Sequence, residues 1–131
     1  MGLFDIFNRT AGAEDRRTER RRSGDAAEDA ALKYLTRQGL KLVERNFSCK
    51  GGELDLIMQD GKSLVFVEVR RRSGQTHGGA GASVTRSKQR RLIIAAQTYL
   101  QRFSTPPACR FDVLAFEGDN MQWLKNAIED Q

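Results

Sequence analysis

Two apolar runs separated by an Asp-Gly dipeptide constrain the fold of this chain more than any other feature. The first run is residues 52–58 (GELDLIM), and the second is residues 64–70 (LVFVEVR). Asp-Gly between two β-branched-rich runs predicts a β-hairpin with Asp60 and Gly61 in a two-residue loop. The acids inside these runs are unusual, because Asp and Glu are depleted from strands and are seldom fully buried unless they are paired or bind a metal.

The predicted loop fixes the register of the hairpin and the faces of its side chains. Residue 59 pairs with residue 62, so Asp55 is expected opposite Phe66 and Glu53 opposite Glu68. Directly opposed side chains share a face, and side chains alternate along each strand. One face therefore carries four charged residues, which are Glu53, Asp55, Glu68 and Arg70.

This charged face requires compensation. Asp55 and Glu68 are expected on a diagonal of roughly 7 Å between backbone positions, which lets both carboxylates reach one ion. Like charges on one face of a sheet repel each other, and Arg70 offsets only part of that repulsion. A divalent cation is the simplest compensating group. An internal ion pair from Glu68 to Arg70 or another base is the structural alternative.

Two helices are expected around the hairpin. Residues 23–25 (SGD) supply N-capping residues for a helix that runs to Gln38 and ends at Gly39. A second helix is expected from Thr85 to Phe103, with Leu92, Ala96 and Tyr99 among its apolar stripe.

Three further strands complete the predicted fold. They are expected at residues 40–47 as an edge strand, at residues 109–116, and at residues 121–124 before a polar tail or helical turn. Residues 64–69 are apolar at nearly every position and predict a central strand covered on both faces. The order α-β-β-β-α-β-β predicts an α/β fold with one mixed sheet and helices packed on it. Asp112 is expected to pair with Arg110 in a structural role.

Length and composition fit one domain with a tail. Residues 8–22 are rich in Arg, Glu and Asp and contain little to bury. Residues 1–22 are therefore expected to form a disordered or loosely helical tail, and residues 23–131 the single domain. No apolar run approaches the length of a membrane span. Two cysteines do not make a disulfide framework, so a reducing cytosol is the expected location.

A basic segment follows the hairpin. From residue 70 to residue 91 the sequence has seven Lys or Arg and no acid, against a net charge of +5 for the whole chain. Cations at a helix start oppose the helix dipole, which favours a role in ligand binding. Phosphate backbone is the natural partner, and a solvated basic face or an acidic protein partner are the alternatives. The residues expected to contact nucleic acid are Arg71, Arg72, Arg86, Lys88, Arg90 and Arg91.

Two more features border this segment. Residues 73–83 are rich in Gly, Ser and Thr and predict a mobile loop that closes over a ligand or brings backbone close to phosphate. Glu28 lies three, four and seven residues before Ala31, Leu32 and Leu35, so it borders the apolar face of the first helix. It fits either a functional site or an acid favoured by the helix dipole.

Four motifs together resemble the YraN family of small bacterial proteins. They are GDAAE at residues 24–28, GELDLI at 52–57, FVEVRRR at 66–72 and RFDV at 110–113. The resemblance covers residues 24–125. It implies a restriction-endonuclease-like fold similar to that of archaeal Holliday-junction resolvases. Because those resolvases act on two-fold junctions, it also suggests a homodimer.

The resemblance gives roles to residues already singled out. It implies that Glu28, Asp55, Glu68 and Arg70 are catalytic positions, and that Asp55, Glu68 and the Val69 carbonyl hold Mg²⁺ or Mn²⁺. Arg70 stands where the superfamily has the Lys of a Glu-x-Lys pair. Arginine remains protonated in proteins and cannot act as a general base. Lys88 is the candidate for the missing amine.

The activity implied by the resemblance is metal-dependent hydrolysis of phosphodiester bonds in DNA, including branched or structured DNA. The alternative is a non-catalytic nucleic-acid-binding module that keeps the nuclease scaffold. The replacement of Lys by Arg70 favours this alternative.

Overall fold

The computed structural model describes residues 11–72 and 84–128, with side chains described for residues 24–71 and 84–128. The elements are α1 (Ala11–Arg37), β1 (Lys41–Cys49), β2 (Gly52–Asp60), β3 (Ser63–Arg72), α2 (Arg86–Leu100), β4 (Cys109–Glu117) and β5 (Asn120–Ile128). The predicted order α-β-β-β-α-β-β is confirmed. Among the described residues, no helix combines the length and the apolar character that a membrane crossing requires.

The five strands form one mixed sheet in the order β1-β2-β3-β4-β5. β3 and β4 are parallel, and the other neighbouring strands are antiparallel. A parallel pair needs a crossover connection, which here contains α2. The edge position predicted for the first strand and the central position predicted for the third are both confirmed.

Each helix covers one face of the sheet. On the first face, Ala31 and Leu35 of α1 pack against the inner strands, with Leu56, Met58, Val65, Val67 and Leu114 as partners. On the second face, Leu92, Ala96 and Tyr99 of α2 pack against a cluster that includes Leu54, Ile57, Phe66, Phe111 and Val113. These surfaces are called the α1 face and the α2 face below.

The hairpin loop is Gly61 and Lys62, so the predicted loop of Asp60 and Gly61 is wrong. Asp60 pairs with Ser63 and remains in β2. Its carboxylate accepts a hydrogen bond from Nη1 of Arg110 at 3.1 Å, which anchors it to the sheet. Gly61 takes the first loop position with φ +61°, a conformation that glycine adopts without steric cost.

The different loop shifts the register of the hairpin by two residues. Ile57, and not Asp55, pairs with Phe66, so the predicted Asp55–Phe66 and Glu53–Glu68 pairs are wrong. The described pairs end at Leu56–Val67, and beyond them the carboxyl of Asp55 makes a hydrogen bond with that of Glu68. Within these paired residues, a shift of two keeps each side chain on its face, whereas a shift of one would have reversed it.

The first helix begins earlier than expected. α1 starts at Ala11 and continues through residues 23–25, so the predicted N-cap in that segment is wrong. Residues 11–22 of the predicted tail are thus helical, and residues 1–10 lie outside the described residues. The helix ends at Arg37, one residue before the predicted Gln38, and the predicted closing residue Gly39 follows with φ +99°. Leu40 N–H donates to the Leu35 carbonyl at 3.1 Å, the bond expected of a Schellman motif.

The end of the chain also differs from expectation. β5 runs to Ile128 and does not stop at residue 124, because buried Ile128 joins the core of the α2 face. The predicted range of α2 is Thr85 to Phe103; the helix starts at Arg86, with Thr85 as its N-cap, and ends at Leu100, three residues before Phe103.

Asp112 is a fully buried structural anchor, as predicted. Its oxygens accept hydrogen bonds from Arg110 Nε at 3.0 and 3.2 Å and from Trp123 Nε1 at 2.9 Å. The Asn126 amide donates to Oδ1 at 2.9 Å. These bonds compensate the burial of the carboxylate and tie β5 to β4.

Candidate functional site

The site begins where β2 and β3 separate. Leu54 packs on the α2 face and Leu56 on the α1 face, although residues two apart in a regular strand share a face. The alternation therefore breaks at Asp55. Asn46, which continues the β1 register to a position opposite Asp55, has φ +57° and marks the same irregularity.

The Asp55 carboxylate bridges the gap between the separating strands. Its Oδ2 accepts a hydrogen bond from the backbone N–H of Val69 at 2.8 Å. Because β2 and β3 are not paired beyond Leu56, this bond gives the Val69 N–H of β3 its acceptor. It also fixes the carboxylate at the floor of a cavity.

The cavity has a volume of about 410 Å³ and lies between the two helices at this end of the sheet. Three regions line it: residues 24–28 of α1, the neighbouring ends of β2 and β3, and the first turns of α2. The lining residues are Gly24, Ala27, Glu28, Glu53, Asp55, Glu68, Val69, Arg71, Thr85, Ser87, Lys88, Arg91 and Leu92.

Asp55 and Glu68 interact strongly at the cavity floor. Burial, followed by the charge of Glu68 and a hydrogen bond with it, raises the pKa of Asp55 from 3.8 to about 8. A carboxyl that keeps its proton near neutral pH is typical of two acids that share one site. A cation at this position would reverse that effect.

Glu68 is the most enclosed member of the pair, with a side chain only 6% exposed. Two cationic groups approach its Oε2: Lys88 Nζ at 3.2 Å and Arg70 Nη1 at 4.0 Å. Of these, Lys88 is the nearer, so the amine that sequence reasoning placed at the start of α2 does lie beside the predicted acid. Arg70 contacts Glu68 but is not among the residues that line the cavity.

A glycine contact positions the start of α2 over the carboxylates. Gly52 is buried, and a Cβ at this position would clash with the carbonyl oxygen of Arg91 and approach the Ala95 amide nitrogen to 3.1 Å. Only a residue without a Cβ permits this approach of helix to strand. Thr85 then caps the helix by accepting a hydrogen bond from the Lys88 N–H at 3.1 Å.

Glu28 reaches the cavity from α1. Burial and the charge of Asp55 raise the pKa of Glu28, while its hydrogen bond with Arg45 lowers it. The side chain is 14% exposed, so it lies at the cavity wall and not on the solvated side of the helix. The sequence left open whether Glu28 belongs to a functional site or is an acid favoured by the helix dipole. Its position in the cavity wall matches the first alternative in geometry.

Arg45 is a residue that sequence reasoning missed. From β1 it places Nε 3.3 Å from Glu28 Oε1 and Nη1 2.7 Å from Asp29 Oδ1, and Nη2 donates to the Asp25 carbonyl at 3.3 Å. These contacts join α1 to the edge strand beside the cavity. Nothing in the sequence pattern links a strand arginine to a helix 17 residues earlier, because the contact depends on where α1 crosses the sheet.

The predicted basic residues divide into two groups. Arg71, Lys88 and Arg91 line the cavity, whereas Arg86 and Arg90 are exposed on the first turns of α2 outside its lining. The side chain of Arg72 and all of residues 73–83, including the predicted mobile loop, lie outside the described residues.

The described residues contain no group of three or more His, Cys, Asp or Glu side chains arranged to hold a metal ion. A direct ligand set drawn from them would therefore consist of Asp55, Glu68 and a backbone oxygen. Two carboxylates with remaining positions left to water or phosphate suit Mg²⁺, which usually keeps several waters. The donor chemistry therefore fits a hard divalent cation.

Comparison with known proteins agrees with the sequence resemblance. The family described as "Uncharacterised protein family UPF0102", which is the YraN family, matches residues 27–116. A UPF0102 protein of Janthinobacterium sp. (strain Marseille) is 66% identical over 113 residues, which cover 86% of this chain and 92% of that protein. A UPF0102 protein of Aeromonas hydrophila subsp. hydrophila is 51% identical over 108 residues, covering 80% and 83%. The chain belongs to the UPF0102 family.

Proposed function

We propose that this protein is a metal-dependent nuclease that hydrolyses phosphodiester bonds in DNA. The observation that carries the proposal is the pair of adjacent carboxylates, Asp55 and Glu68, on the floor of a cavity whose walls carry Arg71, Lys88 and Arg91. Acids that hold a cation and bases that hold a phosphate are the two requirements of phosphoryl chemistry, which depends on positioning and charge stabilisation.

Asp55 and Glu68 are the proposed metal ligands. The hydrogen bond from Val69 N–H fixes Oδ2 of Asp55, so the carboxylate is oriented before a cation arrives. The N–H and C=O of one strand residue point to the same side, so the Val69 carbonyl is also directed toward the gap beside β2. This supports Val69 as a backbone ligand. Bound Mg²⁺ or Mn²⁺ would polarise the phosphoryl group and activate water at neutral pH.

Glu28 is proposed to act from outside the direct ligand set. It lines the cavity and its charge is coupled to that of Asp55, but the described acids do not converge into a three-ligand cluster. Glu28 is therefore suited to orient a water or a ligand that the metal holds, a supporting role that commonly tunes metal affinity.

The cationic wall is proposed to bind the phosphate backbone. Lys88 supplies an amine on the cavity wall, in place of the lysine that the superfamily carries at the position of Arg70. Arg70 stays protonated and can stabilise charge, but it cannot accept a proton. Arg71 and Arg91 complete the wall, and Arg86 and Arg90 extend the basic surface along α2. Contacts of this kind hold the backbone without reading its sequence.

A non-catalytic DNA-binding module is the second candidate. One observation favours it: Lys88 and Arg70 both approach Glu68, so the buried acid already has cationic partners and needs no metal for charge balance. A protein of this kind would bind DNA with strong salt dependence and leave it intact.

A cleavage and binding panel distinguishes the two candidates. Branched, nicked, duplex and single-stranded DNA are incubated with wild type, Asp55→Asn and Glu68→Gln, with Mn²⁺, with Mg²⁺ and with EDTA. Asp119→Asn, which changes an exposed turn acid, is the matched control. Cleavage that needs the cation and is lost only in the two site variants supports the nuclease. DNA binding without cleavage of any substrate selects the binding module, and cleavage that survives both site variants contradicts the proposed site.

A further inference from the structure

The ion pair between Lys88 and Glu68 has a consequence for cation binding. Lys88 Nζ lies 3.2 Å from Oε2 of Glu68, the same carboxylate that the proposed function assigns to a divalent cation. A cation held by Glu68 would bring two positive charges to the oxygen that the ammonium group contacts. Like charges so close in a partly buried site repel strongly, so the two partners compete.

We propose that the Lys88 ammonium holds Glu68 before a divalent cation binds, and that the cation displaces it toward the phosphate-binding wall of the cavity. This inference rests on the proposed metal site. It assigns Lys88 two successive partners, Glu68 first and a substrate phosphate afterwards. Cation binding thereby prepares the site for DNA.

Lys88 is better suited than Arg70 to move away from Glu68 when a cation binds. The Lys88 side chain is 42% exposed, whereas that of Arg70 is 22% exposed and its nearest approach to Glu68 is 4.0 Å. Lysine is a compact point charge on a flexible four-carbon stem, whereas arginine presents its donors in a rigid planar fork. The group that makes the shorter contact is thus also the more exposed one.

The backbone allows this movement without rearranging the helix. The Lys88 N–H is bonded to the Thr85 hydroxyl in the N-cap, and the close packing of Gly52 on the Arg91 backbone holds the start of α2. Displacement therefore involves the side chain alone. Because Lys88, Ser87 and Arg91 line the same cavity, an ammonium group released from Glu68 remains within its wall.

Mn²⁺ affinity tests the inference directly. Dissociation constants are measured by electron paramagnetic resonance on wild type, Lys88→Met and the control Arg91→Met, which removes a cavity cation that forms no ion pair with Glu68 in the described structure. Lys88→Met should bind Mn²⁺ about fivefold more tightly than wild type, the equivalent of one partly exposed ion pair. Arg91→Met should tighten binding by less than about twofold.

The outcomes separate this inference from the proposed function. Tighter Mn²⁺ binding by Lys88→Met than by Arg91→Met, with weaker DNA binding in both, supports it. Mn²⁺ binding that is equal in Lys88→Met and Arg91→Met, or weaker in Lys88→Met than in wild type, overturns the inference and leaves the metal site standing. No Mn²⁺ binding by wild type or by either variant overturns the metal site and the inference together.

Discussion

Gly52 of β2 packs against the Arg91 backbone of α2 so closely that position 52 has no room for a side chain. This contact sets the height of α2 above the sheet and therefore the position of Lys88 above Glu68. A Cβ there would meet backbone atoms, which cannot move aside as the end of a flexible side chain can.

Gly52→Ala should destabilise the protein, because helix and strand must separate to admit the methyl group. Overpacking of this kind costs about 1–3 kcal/mol or more. Gly24→Ala is the control: apart from its chain neighbours and the adjacent backbone of α1, no described atom lies within 4 Å of a Cβ at this glycine, so the change should raise stability by up to about 1 kcal/mol. Urea unfolding of both variants measures the difference, and equal stabilities would contradict the packing argument.

The raised pKa of Asp55 predicts that the protein without divalent cation becomes less stable as the pH rises. The unfolded carboxyl titrates near 3.8 and the folded one near 8, so between these values the folded state keeps a proton that the unfolded state has released. Stability must then fall through this window. The side chain of Asp55→Asn cannot ionise. Above pH 8 the free energy of unfolding of this variant should therefore exceed that of wild type by at least about 1.4 kcal/mol, the equivalent of one pKa unit.

Urea unfolding below, within and above that pH window, in EDTA, measures this effect. The wild type should lose stability relative to Asp55→Asn as the pH rises, while Asp119→Asn should follow the wild type. Parallel pH profiles for wild type and Asp55→Asn would show that Asp55 ionises normally in the folded protein.

Arg45→Met should loosen the attachment of α1 beside the cavity. The variant keeps an apolar stem but removes the contacts to Glu28, Asp29 and the Asp25 carbonyl. We expect a stability loss of about 1 kcal/mol, because these groups are only partly buried and water replaces some of the bonds. A double-mutant cycle with Glu28→Gln should give a coupling energy above about 0.5 kcal/mol. Strictly additive effects would indicate that the arginine does not hold Glu28.

Asp112→Ala should be the most damaging substitution in β4. It leaves Arg110, Trp123 Nε1 and the Asn126 amide without their buried acceptor. Removing one partner of a buried charge pair costs about 3–5 kcal/mol. Thermal unfolding followed by Trp123 fluorescence measures the loss. Asp112→Asn keeps an acceptor and should lose less, and a stable Asp112→Ala variant would contradict the anchoring role.

Binding of the phosphate backbone predicts a specific change in salt dependence. Arg90→Gln and Arg91→Gln should each weaken DNA binding for all sequences and reduce the slope of log affinity against log salt by about one. Lys125→Gln is the control, because Lys125 stacks 4.4 Å from the Trp123 ring centroid on β5. Fluorescence anisotropy titrations at several salt concentrations measure the slopes. A smaller slope in the control than in the arginine variants would place the DNA surface elsewhere.

The elements of this fold could be read from the sequence because their signals are local. Alternating or continuous apolar residues predicted all five strands, and Gly39 predicted the end of α1. The errors lie at boundaries. α1 continues upstream of residues 23–25. β5 extends to Ile128 because this residue is buried in the core, and the polar sequence around it gives no sign of that burial.

The hairpin shows why a wrong register still gave a correct face. Asp-Gly placed the loop one residue too early, since the ion pair of Asp60 with Arg110, 50 residues away, keeps Asp60 in the strand. The resulting two-residue shift changed every partner between Leu56 and Asp60 without reversing a side chain. Upstream, where the alternation breaks at Asp55, the predicted shared face of Glu53 and Glu68 is wrong, because neighbouring Leu54 packs on the α2 face. Asp55 and Glu68 nevertheless remain together, in contact through their carboxyl groups.

The sequence by itself determined the order of the elements and the shared side of Asp55 and Glu68, because periodicity and loop parity act over a few residues. The tertiary structure alone decided which other groups meet these acids. It placed Lys88 beside Glu68, Arg45 beside Glu28, and the Val69 N–H on Asp55. Those distances depend on how closely each helix approaches the sheet. Packing contacts such as Gly52 against Arg91 set that approach, and no local pattern encodes it.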